Sequence, residues 1–159
     1  MVKHLLFCLT LAGMAFGRFA TADEAGFGTA NEAIAMLRQA ITAVKADKTA
    51  AINKFNHNDE PFRHRDLFVF CFNGNDGKFT AHEAFVAWDV RGLRDSNGKT
   101  YGAEMYSAAK VDRIAEITFT SPVPGSTELA VKRAYVMRVA DQVCGVSFYQ
   151  FSEQISPTQ

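Results

Sequence analysis

Two apolar runs separated by a short polar break near the end of the chain constrain its fold most tightly. Lys132 to Val139 is rich in β-branched and aromatic residues, Asp141-Gln142 interrupts it, and Val143 to Tyr149 resumes it. Runs of this kind flanking a polar turn predict a β-hairpin. Neighbouring strand residues point to opposite faces, so Lys132 shares a face with Ala134, and Arg133 shares the other with Tyr135. Basic and aromatic side chains at one end of such a strand suit a small anion, which points to recognition rather than chemistry.

Upstream, the apolar period is helical. Thr29 and Glu32 form a T-x-x-E capping box, in which hydroxyl and carboxylate satisfy unpaired amides at a helix start. Behind it Ile34, Leu37, Ile41, Val44, Ala51 and Phe55 recur at helical spacing along a helix of about 30 residues, ending at Asn56 to Asp59 before Pro61. Lys48 interrupts the stripe. Its partner is either the chain's own sheet or a second subunit, as in a homodimer.

From Asp66 the period becomes that of strands. Leu67 to Phe72 is continuously apolar, Asn73-Gly74-Asn75-Asp76-Gly77 supplies turn residues, and Lys78 to His82 reads as the returning strand. A loop from Glu83 to Asn97, a short helix from Lys99 to Lys110 and a strand from Arg113 to Thr120 follow. Ser121-Pro122-Val123-Pro124-Gly125 breaks that strand before the closing hairpin. The order predicts an α+β, PAS-like domain: a long N-terminal helix plus an antiparallel five-stranded sheet.

The N-terminal residues bear on compartment. Lys3 and His4 precede an apolar run from Leu5 to Phe16, and Ala20-Thr21-Ala22 matches a signal-peptidase site, so residues 1–22 are expected to be a signal peptide cleaved after Ala22. Gly17 and Arg18 break the run short of the roughly 20 residues a membrane span needs. Residues 23–159 are then expected to be one exported domain, periplasmic or secreted, with frayed ends at Asp23 to Gly28 and Ser156 to Gln159. Loss of Lys3 and Arg18 leaves 15 basic against 17 acidic residues, a net charge of −2. That balance argues against a nucleic-acid partner.

Cys8 leaves with the signal peptide. Cys71 and Cys144 remain, each in a predicted strand, and a disulfide between them is one reading; two small buried hydrophobes is the other. No metal site is expected, since His57 and His64 flank a turn and no further histidine stands at ligand spacing. Two turns approach an EF-hand pattern, but Phe72 or Leu93 would occupy the corner that needs an acid. No nucleophile elbow, phosphate loop or haem motif is present, so neither enzymatic activity nor a cofactor is expected.

The aromatic strand, the Asn75-Asp76-Gly77 turn, Thr80-Ala81-His82, Gly92, Asp95-Ser96-Asn97-Gly98-Lys99, Lys132-x-x-Tyr135 and the strand Val143 to Tyr149 together resemble a single Cache domain of type 2. The resemblance covers about residues 46–150. Glu83 stands where the family often has proline, Ser147 where it commonly has glycine, and Phe85-Val86-Ala87-Trp88 follows no family pattern. The resemblance implies an extracytoplasmic sensor whose concave sheet face and overlying loop hold a short carboxylate or amino acid. Because such domains signal through a membrane helix and no second apolar run of that length occurs, the expected partner is a membrane receptor or envelope protein.

A half-closed anion site needs cationic donors and aromatic walls. Arg91, Lys132 and Arg133 are the candidate cations, and Trp88, Tyr101 and Tyr135 the candidate walls and hydroxyl donors; the arginines also suit a solvated surface, and Tyr101 a helix-capping role. His82 has two readings, a structural hydrogen bond to a loop carbonyl or a ligand contact. The ligand-binding set is therefore Trp88, Arg91, Tyr101, Lys132, Tyr135 and His82. A ligand-free interaction or structural protein using the long first helix is the alternative function.

Overall fold

In the computed structural model, which describes residues 26–151, two helices precede a sheet and a third helix is inserted within it. The chain runs α1 (Ala30–Ala46), α2 (Lys48–Asn56), β1 (Arg63–His64), β2 (Leu67–Asn73), β3 (Phe79–Ala81), a 3-10 turn (Val90–Gly92), α3 (Tyr101–Ala108), β4 (Ala115–Pro122), β5 (Leu129–Val139) and β6 (Gln142–Gln150). The antiparallel sheet runs β1-β2-β6-β5-β4, with β3 also paired to β2. This is the α+β, PAS-like arrangement expected, with a sixth, two-residue strand added. The signal peptide, its cleavage after Ala22 and the Ser156 to Gln159 end lie outside the described residues. Among the described residues no helix is long and apolar enough to cross a membrane.

The capping box forms as expected, with the Glu32 amide donating to Thr29 Oγ1 and the Thr29 amide donating to Glu32 Oε2. The single long helix does not. Asp47 is extended (φ −156°, ψ 102°), ends α1, and caps α2 by accepting the Ala50 amide at 3.0 Å. An Asp side chain that competes for the next turn's amides favours such a restart. The apolar stripe crosses the break: Leu37, Ile41, Val44, Ala51 and Phe55 are all buried against the chain's own sheet.

Residues Phe27 and Gly28, expected to fray, are packed. Phe27 meets the Tyr149 ring edge-on at 5.5 Å, and the Gly28 amide donates to Asp66 Oδ1 at 2.5 Å.

The closing hairpin turns one residue earlier than expected, at Ala140-Asp141 (Ala140 φ 51°), because Val139 pairs with Gln142. Gln142 is buried in β6, and its Oε1 accepts the Thr80 hydroxyl at 2.6 Å. In the centre of the sheet Cys71 faces Cys144 across the β2–β6 ladder, Cα atoms 4.1 Å apart, and the two form a disulfide.

Strand alternation divides the core in two. Leu67, Val69, Cys71, Tyr135, Met137, Val146 and Phe148 point to α1 and α2. Phe70, Phe72, Ile117, Phe119, Ala134, Val136 and Val143 point the other way, toward α3 and the 3-10 turn.

Candidate functional site

The second face is incompletely filled. Between the sheet and its cover of loop and α3 lies a cavity of about 170 Å³. Two loop devices hold the cover. The Asp95 carboxylate accepts the amides of Asn97, Lys99 and Thr120, at 2.9, 2.9 and 3.0 Å, which pins the Asp95-to-Lys99 turn to β4 and holds the carboxyl below its usual pKa. Gly102 then lets α3 touch the 3-10 turn, where any Cβ would strike the Val90 carbonyl at 1.8 Å.

The walls are aromatic. Phe68 and Phe70 come from β2 and Phe79 from β3, while Phe85 comes from the loop beyond it. Tyr101 of α3 stacks on Phe119 of β4 with ring centroids 4.1 Å apart. Aliphatic contacts are few, which leaves angular gaps that flat rings do not fill.

Against these walls stand a few polar groups: His82, Ser121, Lys132 and Ser147. Lys132 is half-buried on β5, its Nζ 4.5 Å from the centroid of the Tyr149 ring. Among the described residues it has neither an ion pair nor a hydrogen bond. Burial lowers its pKa, and the Asp66 carboxylate partly offsets that effect.

His82 sits among four rings, those of Phe68, Phe70, Phe79 and Phe85, at centroid distances from 4.6 to 6.3 Å. Burial, and secondarily the Lys132 charge, pushes its pKa down to about 4. Its Nδ1 accepts the Ala84 amide at 3.0 Å, so the neutral ring carries its proton on Nε2. The structural bond is thus to an amide N–H rather than to a loop carbonyl.

Of the six residues nominated from the sequence, His82, Tyr101 and Lys132 line the cavity; Trp88, Arg91 and Tyr135 do not. Tyr135 is on the helix-covered face, 9% exposed and stacked on Phe148 at 5.4 Å, because it is three residues from Lys132 and strand period inverts its direction. Trp88 is 62% exposed and rests on the far side of Phe85 at 5.3 Å. Arg91 is exposed. It forks onto Asp89, donates from Nη2 to the Asp76 carbonyl at 2.8 Å and lies over the Tyr106 ring at 5.1 Å, clamping the 3-10 turn to the β2–β3 loop. Arg133 pairs with Glu116 at 2.9 Å on the Tyr135 side.

The lining residues missed are Phe68, Phe70, Phe79, Phe85, Leu93, Met105, Phe119, Ser121 and Ser147. Alternation within the apolar run 67–72 puts Phe68, Phe70 and Phe72 on one face, a signal that was present. Chemically, one unpaired cation, a neutral imidazole donor and two hydroxyls inside an aromatic shell can hold a small anion with an apolar part. Among the described residues no group of three or more His, Cys, Asp or Glu side chains could hold a metal ion.

No protein-family model and no curated protein sequence matches the chain. Solved structures do resemble it. A methyl-accepting chemotaxis protein from Vibrio parahaemolyticus superposes with a TM-score of 0.58 at 22% identity, covering 75% of this chain and 86% of that one. The periplasmic sensor domain of a chemotaxis protein gives 0.55 at 17%, covering 75% and 88%. A Cache chemosensory domain, solved for its carboxylic acid recognition, gives 0.57 at 14%, covering 75% and 91%. Fold and likeness together define an α+β, PAS-like architecture. Within that architecture the chain has the Cache-type fold.

Proposed function

We propose that this chain is an exported, small-molecule-binding sensor module that takes a short organic anion and reports occupancy to a separate membrane receptor or envelope protein. The observation that carries the reading is Lys132, a half-buried ammonium without an ionic partner among the described residues, at the wall of an aromatic cavity. Such a charge is costly unless something anionic meets it. The volume suits a molecule of roughly six non-hydrogen atoms, since a dry cavity of about 150 Å³ takes benzene. A carboxylate fits better than an amino acid, because no carboxylate lines the cavity to receive an ammonium. The carboxylic acid recognised by one structural neighbour supports the same chemistry. Export is supported by the N-terminal sequence and by a disulfide at the centre of the sheet. The ligand-free alternative is disfavoured by the open cavity beside Tyr101 and by burial of the helix stripe against its own sheet.

A thermal-shift screen of acetate, propionate, pyruvate, lactate and the amino acids tests this. At a hundredfold excess over Kd the ligand stabilises the fold by about 2.7 kcal/mol, a rise of roughly 10 °C in Tm. Lys132→Met removes the response. An unmoved Tm with every compound at millimolar concentration contradicts the reading.

A further inference from the structure

We propose that Ser147 is a ligand-anchoring, specificity-determining residue of this cavity, its hydroxyl donating to one oxygen of the bound carboxylate while Lys132 Nζ holds the other. The proposal rests on the anion-binding reading above and adds a residue to it.

Ser147 is only 6% exposed and lines the cavity from the middle of β6. Among the described residues nothing hydrogen-bonds its Oγ. The oxygen itself opens onto the cavity rather than into packed protein, so it is free to bond whatever fills that space. Gln142, the other buried polar side chain, is already engaged: its Oε1 accepts Thr80 Oγ1 and its Nε2 donates to the Asp141 carbonyl. Ser147 has no such protein partner among the described residues and borders the cavity, where a ligand oxygen can meet it.

The ladder puts the two anchors side by side. Ser147 is opposite Ala134, and Lys132, two residues along β5 on the same face, is opposite Tyr149. They are diagonal neighbours, within reach of one small group when one of the pair is as long as lysine. The two contribute differently. The lysine stem is flexible and its ammonium follows charge, whereas the short serine fixes its hydroxyl relative to the strand. Ser147 therefore sets the depth at which the carboxylate sits, and so the length of apolar tail that fits before the Phe68 and Phe70 rings. The ligand class is a monocarboxylate with a tail of only a few atoms.

The test is calorimetric titration of wild type and Ser147→Ala with acetate, propionate, pyruvate and lactate, together with the Tm of each protein without ligand. The expected result is a Kd at least tenfold higher in Ser147→Ala for every acid the wild type binds, with a ligand-free Tm equal to or above that of wild type. A hydroxyl that serves only the fold would lower Tm and leave Kd alone, and that outcome overturns the proposal. So does a Kd within twofold of wild type; the anion-binding reading then survives without Ser147. Wild type that binds none of the acids overturns both.

Discussion

On the face of the sheet covered by α1 and α2, the strands present mostly aliphatic side chains, a disulfide and the stacked pair Tyr135 and Phe148, and two helices cover them with Leu37, Ile41 and Phe55. On the face covered by α3 and the loops, the same strands present Phe68, Phe70, Phe79 and Phe119 with Lys132 and Ser147 among them, and about 170 Å³ stays empty. The difference lies in the cover as much as in the strands. The 17 residues of α1 lay a continuous row of side chains over the first face, whereas eight residues of helix and a long loop cover the second only in part. One face stabilises the domain, and the other is left free to bind.

The largest effect that separates the faces is expected at the disulfide. It closes a loop of 73 residues, and removing it with Cys71→Ala and Cys144→Ala should cost about 4 kcal/mol by loop-closure entropy, read from urea unfolding. Carboxylate affinity, measured where the variant is still folded, should stay within about twofold. A large loss of affinity would mean that the two faces are not independent.

A smaller effect belongs to the open face. The folded-state pKa of His82, about 4, lies below its ordinary 6.5, so the folded state resists protonation. The stability this contributes is present above pH 6.5 and is lost as pH falls toward 4, by about 2 kcal/mol after allowance for screening by solvent. His82→Phe should flatten that part of the stability profile relative to wild type. A parallel profile in the variant would put the acid sensitivity elsewhere.

Smallest of all is Trp88. An exposed ring outside Phe85 should be replaceable by alanine with a change below about 0.5 kcal/mol and no change in Kd. A tenfold loss of affinity would make the loop a working part of the site.

The strands and the capping box could be read from the sequence because each has a periodic or local signature. The disulfide stayed one of two readings there, because cysteines 73 residues apart carry no local sign that their strands are neighbours. The break at Asp47 could not, since the helical stripe runs across it with neither glycine nor proline to mark it. β1, at two residues, is too short to show a period. Within the site, alternation separated Lys132 from Tyr135, but both faces of β5 are apolar enough that nothing in the residues says which one stays open. Trp88 and Arg91 occupy a loop, where no period exists to aim a side chain. Their positions depend on backbone bonds such as Phe79 N–H to the Trp88 carbonyl, at 2.9 Å, which follow only from the folded chain.

The central claim is that Lys132 is a cation without a direct ionic partner among the described residues, kept for an anionic ligand. Its Nζ titration, followed by NMR on lysine-labelled protein with and without saturating propionate, tests that most directly. The empty protein should show a pKa below the ordinary 10.5, and ligand should raise it, because an anion favours the charged form. A pKa that starts at the ordinary value and does not move when propionate, acetate, pyruvate or lactate is added would contradict the account.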